Sequence, residues 1–410
     1  MRRLPLVALL AANAFSACGS IMTVLAVPWF VLATTGSAAR TGLTAGAEVV
    51  GVVIASLLAG PVVDRFGRRV VSVTSDLVAA VVVSTIPLLH GTVGLPFWAL
   101  LALAVALGSA AAPGQTARQS MMPGLIALTG VDTERAASAY DGVSRGARML
   151  GAPLAGVLIA VLGSQPVLLV DAGTFLVSAL LVRLFVPRVT AAPQDAPGSY
   201  LTRMRRGLAY LRQDRLMLGI VVMVSATNLL DAAFFSVLMP VYAKDVLHSS
   251  IALGLMAGTF NAAALTGSLL YAWAGPRLPR HLTYTLAFLL SGAPRFVVLA
   301  LGAPLPVVLA LWAVLGLGVG AINPILGAVE YERVPEAVLP MVFGVMHAAA
   351  FCGMPLGAAL AGLSVEAIGL FPTLSGCAAL YLVATTTPAL FRVWRQLDRR
   401  PEHPPVPVAA

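Results

Sequence analysis

A chain of 410 residues in which 59% are hydrophobic and 10% are charged, with a mean hydropathy of +0.91, has too little polar side chain to cover a wet surface. Ordinary soluble domains carry about 25% charged residues, so a soluble globular enzyme is excluded. The formal charge of +9 is distributed as an orientation signal for a membrane protein and not as a nucleic-acid face, because the basic residues gather on one side of the predicted spans.

Hydropathy places twelve spans at 6–33, 42–63, 70–89, 95–115, 137–162, 166–186, 217–243, 250–274, 282–302, 304–328, 338–362 and 370–391. Each is close to the roughly 20 residues that cross a hydrocarbon core as a helix. With the N-terminus in the cytoplasm, twenty-one of the 26 basic residues fall on the inner side, only Arg40 and Lys244 fall outside, and Arg145, Arg148 and Arg295 lie within spans. The expectation is an all-α polytopic protein of a bacterial cytoplasmic membrane with both termini cytoplasmic. Its arginine-over-lysine and Ala/Val-rich composition fits a GC-rich bacterial gene.

The chain divides into an N-terminal six-helix bundle over 1–186, a linker over 187–216, a C-terminal six-helix bundle over 217–391 and a disordered tail over 392–410. The linker holds Pro187, Pro193, Pro197 and Gly198, then Arg203, Arg205, Arg206, Arg212 and Arg215, a composition that predicts an interfacial amphipathic helix. The two halves repeat. Pro28 and Pro240 are displaced by 212, Ala59-Gly60-Pro61 and Ala274-Gly275-Pro276 by 215, Pro113 and Pro324 by 211, Pro123 and Pro335 by 212, and Gly151-Ala-Pro153-Leu154 and Gly353-Met-Pro355-Leu356 by 202. Six spans per half return the second copy in the same orientation, the parallel repeat of two pseudo-symmetric six-helix bundles.

Between the second and third spans stands Gly60-Pro-Val-Val-Asp64-Arg65-Phe-Gly67-Arg68-Arg69. Gly60 permits close helix approach and Gly67 a tight turn, while Asp64 at a helix boundary can pair with arginines or a neighbouring helix end. Such a charge cluster can latch one bundle to the other and release it. The stretch resembles the Gly-x-x-x-Asp-Arg-x-Gly-Arg-Arg motif of the major facilitator superfamily, and with the duplicated layout the resemblance covers essentially the whole chain. Ala117-Arg118-x-x-x-x-Pro123-Gly-Leu125-Ile126, Ser75-Asp76-Leu77 and Asp171-Ala-x-x-Phe175-x-x-Ser178-Ala179 look like the branch of macrolide, multidrug and siderophore exporters. The resemblance implies a monomeric transporter in which spans one, four, seven and ten line a cavity and two, five, eight and eleven form the bundle interface, exporting a small molecule by exchange with protons.

In the fifth span Gly142, Gly146, Gly151, Pro153 and Gly156 form a small-residue stripe resembling the glycine-proline motif of antiporters. Asp141, Arg145 and Arg148 share one face there and can neutralise one another. Either a structural clamp or a coupling role fits. Asp231 in the seventh span lies about 21 Å from its cytoplasmic start at 1.5 Å per residue, where a carboxylate is expensive unless it faces water, a cation or a proton. Asn228 shares its face, and Glu48 is the next candidate. Asn13, Gln115, Asn261 and Asn323 can line the path or bond between helices, and His347 reads as an interface residue. Arg295 and Asp171 have no partner that the sequence names. Two features depart from the antiporter pattern: Gly19 is followed by Ser20 and not by an acid, and Arg118 is expected at the cytoplasmic end of its span. Coupling has then either moved to Asp231 and Glu48 or is not proton exchange.

Cys18, Cys352 and Cys377 lack metal-ligand spacing, and His90, His248, His281, His347 and His403 are scattered, so neither a cofactor nor a membrane enzyme is indicated. Few fixed charges along the path favour a lipophilic or amphipathic ligand, because a sugar phosphate or dicarboxylate requires paired basic residues. Siderophore efflux and nutrient uptake are the alternatives within transport.

Overall fold

The computed structural model describes residues 3–187, 208–334 and 339–398. Among these are twelve helices long and apolar enough to cross a membrane and no strand. They are α1 (Leu4–Thr35), α2 (Ala38–Phe66), α3 (Arg68–Thr92), α4 (Phe97–Thr129), α5 (Thr133–Leu162) and α6 (Ser164–Phe185), then α7 (Arg215–Asp245), α8 (Ser250–Ala274), α9 (Arg280–Ala300), α10 (Leu305–Arg333), α11 (Met341–Ile368) and α12 (Leu370–Leu390). Successive helices alternate in direction, so the start of α1 and the end of α12 lie at one end of the molecule, here the near end. Between α2 and α3 only Gly67 intervenes, at φ +86°, a backbone angle at which a side chain would be strained.

The largest departure from expectation is α4, predicted over 95–115 and observed to Thr129. Pro113 and Pro123 lie inside it; in a packed membrane helix neighbouring helices re-satisfy the groups a proline frees, so it does not end there. Arg118 is therefore well inside the helix and 5% exposed, a correction to its expected place at the cytoplasmic end. In α7 a π-helical turn over Phe234–Leu238 follows Asp231, and α11 is interrupted between Cys352 and Met354. Gly353 and Pro355 cause that break, since Pro355 supplies no backbone N–H.

The predicted disorder from 392 needs correction. Arg392–Asp398 forms 3₁₀ turns with Trp394 and Leu397 buried; residues three apart share a face at three residues per turn, and Trp394 stacks on Tyr284 of α9 at 5.9 Å. The expected interfacial helix at Arg203–Arg206 and the tail from 399 lie outside the described residues.

The pseudo-symmetry appears in the packing. Helix α2 packs on α4 as α8 packs on α10; α1 lies against α5 and α6 as α7 lies against α11 and α12; α3 meets α6 as α9 meets α12. The close approaches repeat as well. Gly51 of α2 faces the Val105 carbonyl and Gly108 of α4 the Glu48 carbonyl, while Gly267 of α8 faces the Leu317 carbonyl and Gly320 of α10 the backbone of Gly267 and Ser268. Gly108 and Gly320 are displaced by 212, as are Val105 and Leu317. Without side chains there, backbones interlock at each site.

The halves meet where α2 packs on α11 and α5 on α8, as the family resemblance implied. These contacts belong to the far end. A side chain at Gly254 would lie 2.7 Å from the Ala152 carbonyl, and one at Gly156 would lie 2.7 Å from the Ser250 carbonyl. By contrast Gly60, Gly142, Gly146 and Gly344, toward the near end, have no neighbouring atom within 4 Å of the corresponding position. The bundles are thus sealed at the far end and parted at the near end.

Two charged side chains of the second bundle clasp helix ends of the first at that seal. Lys244 Nζ donates to the Leu32 carbonyl at 2.8 Å, at the negative end of the α1 dipole. The Glu366 carboxylate accepts from Ser37 Oγ and from the Ala39 N–H at 3.2 Å, at the positive end of α2. Both match the sign of the helix dipole. Replacing Lys244→Ala and Glu366→Gln together should remove about 1–2 kcal/mol from the sealed state, a shift of about five- to thirtyfold. Spin labels at the far ends of α2 and α11 should then report a longer-distance population, and an unchanged distance distribution would show that the clasp does not hold the seal.

Candidate functional site

Hydrocarbon does not accept an unpaired charge cheaply, and each bundle contains one buried ion pair. In the first, Arg118 Nη1 of α4 donates to both Asp76 carboxylate oxygens of α3 at 3.1 Å. Arg118 Nη2 donates to Ser16 Oγ of α1 at 2.9 Å, and Ser16 Oγ and Ser178 Oγ of α6 donate to Asp76 at 3.0 and 2.6 Å. Four helices are joined through one pair.

In the second bundle Arg295 of α9, 2% exposed, donates from Nη2 to Asp231 of α7. Its guanidinium lies 4.9–5.6 Å from the ring centroids of Phe234, Phe235, Phe260, Phe296 and Tyr381. Those rings come from α7, α8, α9 and α12, so this pair also joins four helices. Aromatic faces attract a desolvated guanidinium by about 0.5–2 kcal/mol each at best, which helps explain why an arginine is tolerated there. The π turn that follows Asp231 brings Phe234 and Phe235 onto this guanidinium. Such turns recur at functional positions.

The polar candidates separate into two cavities. A cavity of about 160 Å³ in the first bundle is lined by Ser16, Ser20, Thr23, Glu48, Ser75, Asp76 and Arg118 with apolar neighbours. Half of its lining residues are polar while most of its surface is apolar, and its volume is room for about five waters at ~30 Å³ each. Glu48 is half-buried in its wall, and its side chain makes no hydrogen bond or ion pair with any described residue. Asp171, fully buried behind it, accepts from the Thr23 hydroxyl, and its own carbonyl accepts from Thr174 Oγ1 at 2.7 Å. Asp171 thus has the partner the sequence did not name.

The larger cavity, about 820 Å³, is lined by α7, α10 and α11 and opens where the bundles part. Its wall includes Asn228, Asn323, Glu330, His347, Phe343 and Phe351 among aliphatic side chains. Asn228 Nδ2 donates to the Ala350 carbonyl at 3.0 Å and Ser225 Oγ to the Ala349 carbonyl at 2.9 Å, in the turn before the α11 break, so α7 braces that interruption. His347 faces the cavity, with its ring 4.6 Å from that of Phe351, and this corrects its reading as an interface residue. Of the helices that the resemblance placed along the path, α1 and α4 contribute to the smaller cavity and α7 and α10 to the larger.

The remaining predicted residues are placed as follows. Asn13 is buried between α1 and α5, donating to Ser144 Oγ at 2.7 Å and accepting from Tyr140 at 3.0 Å, an interhelical bond. Gln115 is exposed and lines neither cavity. Asn261 donates to the Ala257 carbonyl of its own helix. Pro153 and Gly156 lie in the α5–α8 contact, whereas Gly151 packs on Cys18 and Ile21 of α1. Arg145 pairs with Asp141 at 2.7 Å on the exposed face of α5, and Arg148 donates to the Ser144 carbonyl at 3.3 Å; the three are satisfied within their own helix.

At the near end Asp64 is exposed and pairs with no described residue. Arg65 lies over the Phe66 ring, Arg69 donates to the Arg183 carbonyl, and Arg68 is partly buried at the start of α3. Glu330 was missed by sequence reasoning because the span was expected to end at 328. The helix runs on to Arg333 and turns it toward the cavity.

This architecture is that of a two-bundle, twelve-helix membrane transporter with its interior open at one end. The chain belongs to the Major Facilitator Superfamily, whose family model matches residues 9–252 and 221–410. It is 32% identical to the multidrug efflux pump Tap of Mycobacterium tuberculosis across 97% of this chain and 96% of that protein. To the pump of the same name from Mycolicibacterium fortuitum it is 30% identical across 97% and 98%. It also resembles macrolide efflux protein A of Streptococcus pyogenes, 20% identical across 88% and 89%. Among solved structures the fold matches the nucleoside transporter NupG with a TM-score of 0.74 at 14% identity, covering 94% of this chain and 98% of that one. A bacterial homologue of the human lysosomal transporter Spinster matches with a TM-score of 0.69 at 13% identity, covering 97% of each.

The Asp231–Arg295 pair makes a stability prediction. Asp231→Asn leaves a buried guanidinium uncompensated and should cost about 3–5 kcal/mol, read as a lower melting temperature of the detergent-solubilised protein. Asp231→Leu with Arg295→Met removes both charges and should melt closer to the wild type. Equal losses in the single and double variants would mean that the charge balance is not what holds these helices.

Proposed function

We propose that this protein exports small lipophilic or amphipathic molecules, drugs among them, from the cytoplasm by proton antiport through alternating access. It acts as a monomer, both termini lie in the cytoplasm, and the conformation described here is therefore open to the cytoplasm and sealed outside. The observation that carries this reading is the cavity of about 820 Å³, open at the near end and mostly apolar, in a chain related along nearly its whole length to a multidrug efflux pump. The volume falls within the range of drug-sized pockets. The Spinster homologue of similar fold was itself solved inward-facing and unoccupied. Siderophore efflux fits less well, since no lysine or arginine lines this cavity to meet an acidic ligand.

For the proton, Glu48 is the better candidate of the two carboxylates singled out in the sequence. Asp231 is bound to a buried arginine, and discharging it strands that partner. Glu48 has no such partner and faces a cavity lined in part by Ser16, Ser20, Ser75, Asp76 and Arg118 and large enough for water, which gives a proton a route to it. Asp64 completes the cycle as a latch: exposed while the near ends are apart, it would engage the opposite bundle when they close.

The test is transport in inverted membrane vesicles with a panel of antibiotics and dyes. Accumulation should depend on an imposed proton gradient and collapse with a protonophore. Glu48→Gln should abolish gradient-driven accumulation while leaving substrate exchange across the membrane intact, because exchange needs only rocking of the loaded carrier. Accumulation insensitive to the protonophore would reject antiport, and gradient-driven transport at wild-type rates in Glu48→Gln would remove Glu48 from the coupling step.

A further inference from the structure

We infer that the α7–α10–α11 cavity is a recognition site for amphipathic organic cations, with Glu330 as the counter-charge at its mouth and Phe343 and Phe351 as aromatic walls. The inference rests on the efflux reading and names the substrate class of that cavity. Glu330 is half-buried and lines the cavity, yet its carboxylate has no hydrogen bond or ion pair with any described residue. Among the described residues no lysine or arginine belongs to the cavity wall.

The nearby arginines that might neutralise Glu330 are engaged elsewhere. Arg333, one turn along α10, donates to Asp214 at 3.0 and 2.9 Å and to Gln396 at 3.2 Å. Arg280 is held by Glu332 in a two-pronged pair at 2.6 and 2.8 Å. Glu330 is the one Asp, Glu, Lys or Arg in the described lining, and an unpaired carboxylate in a partly desolvated wall favours a cation over a neutral or anionic ligand.

The shape of the site selects for amphipathy. Glu330 lies three residues from the near end of α10, about 5 Å of helix, whereas Asn228 lies thirteen residues into α7, about 20 Å. Charge is therefore met at the entrance and apolar surface beyond it, with the amides of Asn228 and Asn323 deep inside. Phe343, itself edge-on to Tyr331 at 5.4 Å, and Phe351 both line the cavity, and aromatic rings attract a cation or stack on an aromatic body. His347, the other titratable group in the wall, stacks beside Phe351 and can donate to a ligand acceptor.

Tetraphenylphosphonium and tetraphenylborate have the same shape and opposite charge. Their binding to the full-length, detergent-solubilised protein, measured by scintillation proximity with radiolabelled ions, separates charge from size. Wild type should prefer the cation by about tenfold or more, the factor a single partly desolvated charge contact supplies. Glu330→Gln should erase that preference by weakening the cation alone, and Glu330→Lys should invert it; monodisperse elution of both variants confirms that they fold.

Equal affinity of the wild type for the two ions, or a cation preference that survives Glu330→Gln, overturns the assignment. The assay does not depend on direction of transport or on coupling. A protein that selects the cation through Glu330 but exports nothing keeps the site and overturns the efflux reading. One that exports antibiotics and shows no charge preference does the reverse.

Discussion

The cost of an unpaired charge in a medium that cannot solvate it organises this molecule. Of the ionisable groups inside the spans, Asp76 and Arg118 neutralise each other in the first bundle, and Asp231 and Arg295 do so in the second. Each pair touches four helices, and removing one member would strand the other. These pairs therefore act as rivets that make each bundle a rigid body. Asp171, with no cation beside it, is met by the hydroxyl of Thr23, whereas Glu48 and Glu330, which pair with no described residue, both face a cavity, where water or a ligand can serve as the partner that the protein does not provide. A sorting by partner separates what holds the bundles from what they carry.

Rigid bundles need an interface that can slide, and here it is made of small residues and of charges on helix ends. Backbone lies on backbone where α5 meets α8 through Gly156 and Gly254, so little side-chain interlocking has to be undone when the halves part. Lys244 and Glu366 contribute contacts that depend on the helix ends being close, and such contacts fall off within a turn. A seal built this way is strong only in one geometry. At the near end Asp64 stands exposed in the last turn of α2, just before Gly67, and on the proposed reading it serves the opposite conformation.

The fold was legible because hydrophobic length and basic asymmetry are properties of the chain itself. Twelve spans and their parallel duplication could be read from the residues, such as the recurrence of Gly151-Ala-Pro153-Leu154 as Gly353-Met-Pro355-Leu356, and the interface helices followed from the family resemblance. What could not be read was pairing across distant positions. Nothing in the spacing of Asp231 and Arg295, 64 residues apart, or of Asp76 and Arg118, 42 apart, indicates that they meet. Arg118 and Glu330 were both assigned to loops because hydropathy ends a helix where charge begins. In a packed bundle a helix ends instead where its backbone loses partners, and a neutralised arginine does not mark that point.

The placement of the two unpaired carboxylates bears on how coupling can work. A transporter that discharges its proton when the drug arrives at the same carboxylate needs one shared group, and competition alone then links the two fluxes. On the proposed reading the proton is taken up at Glu48 in the first bundle and the ligand in the cavity of the second, with different helices lining each. Direct competition is not available between them, so the coupling free energy has to pass through the one thing both occupants change, which is the fit of the two bundles to each other. A charged Glu48 requires water or another partner in its cavity, whereas a protonated one tolerates a drier surround and allows the helices around it to close. Because both bundles are riveted internally, that closure cannot be absorbed by local repacking. It must appear as rotation at the α2–α11 and α5–α8 contacts, where the seal is also held.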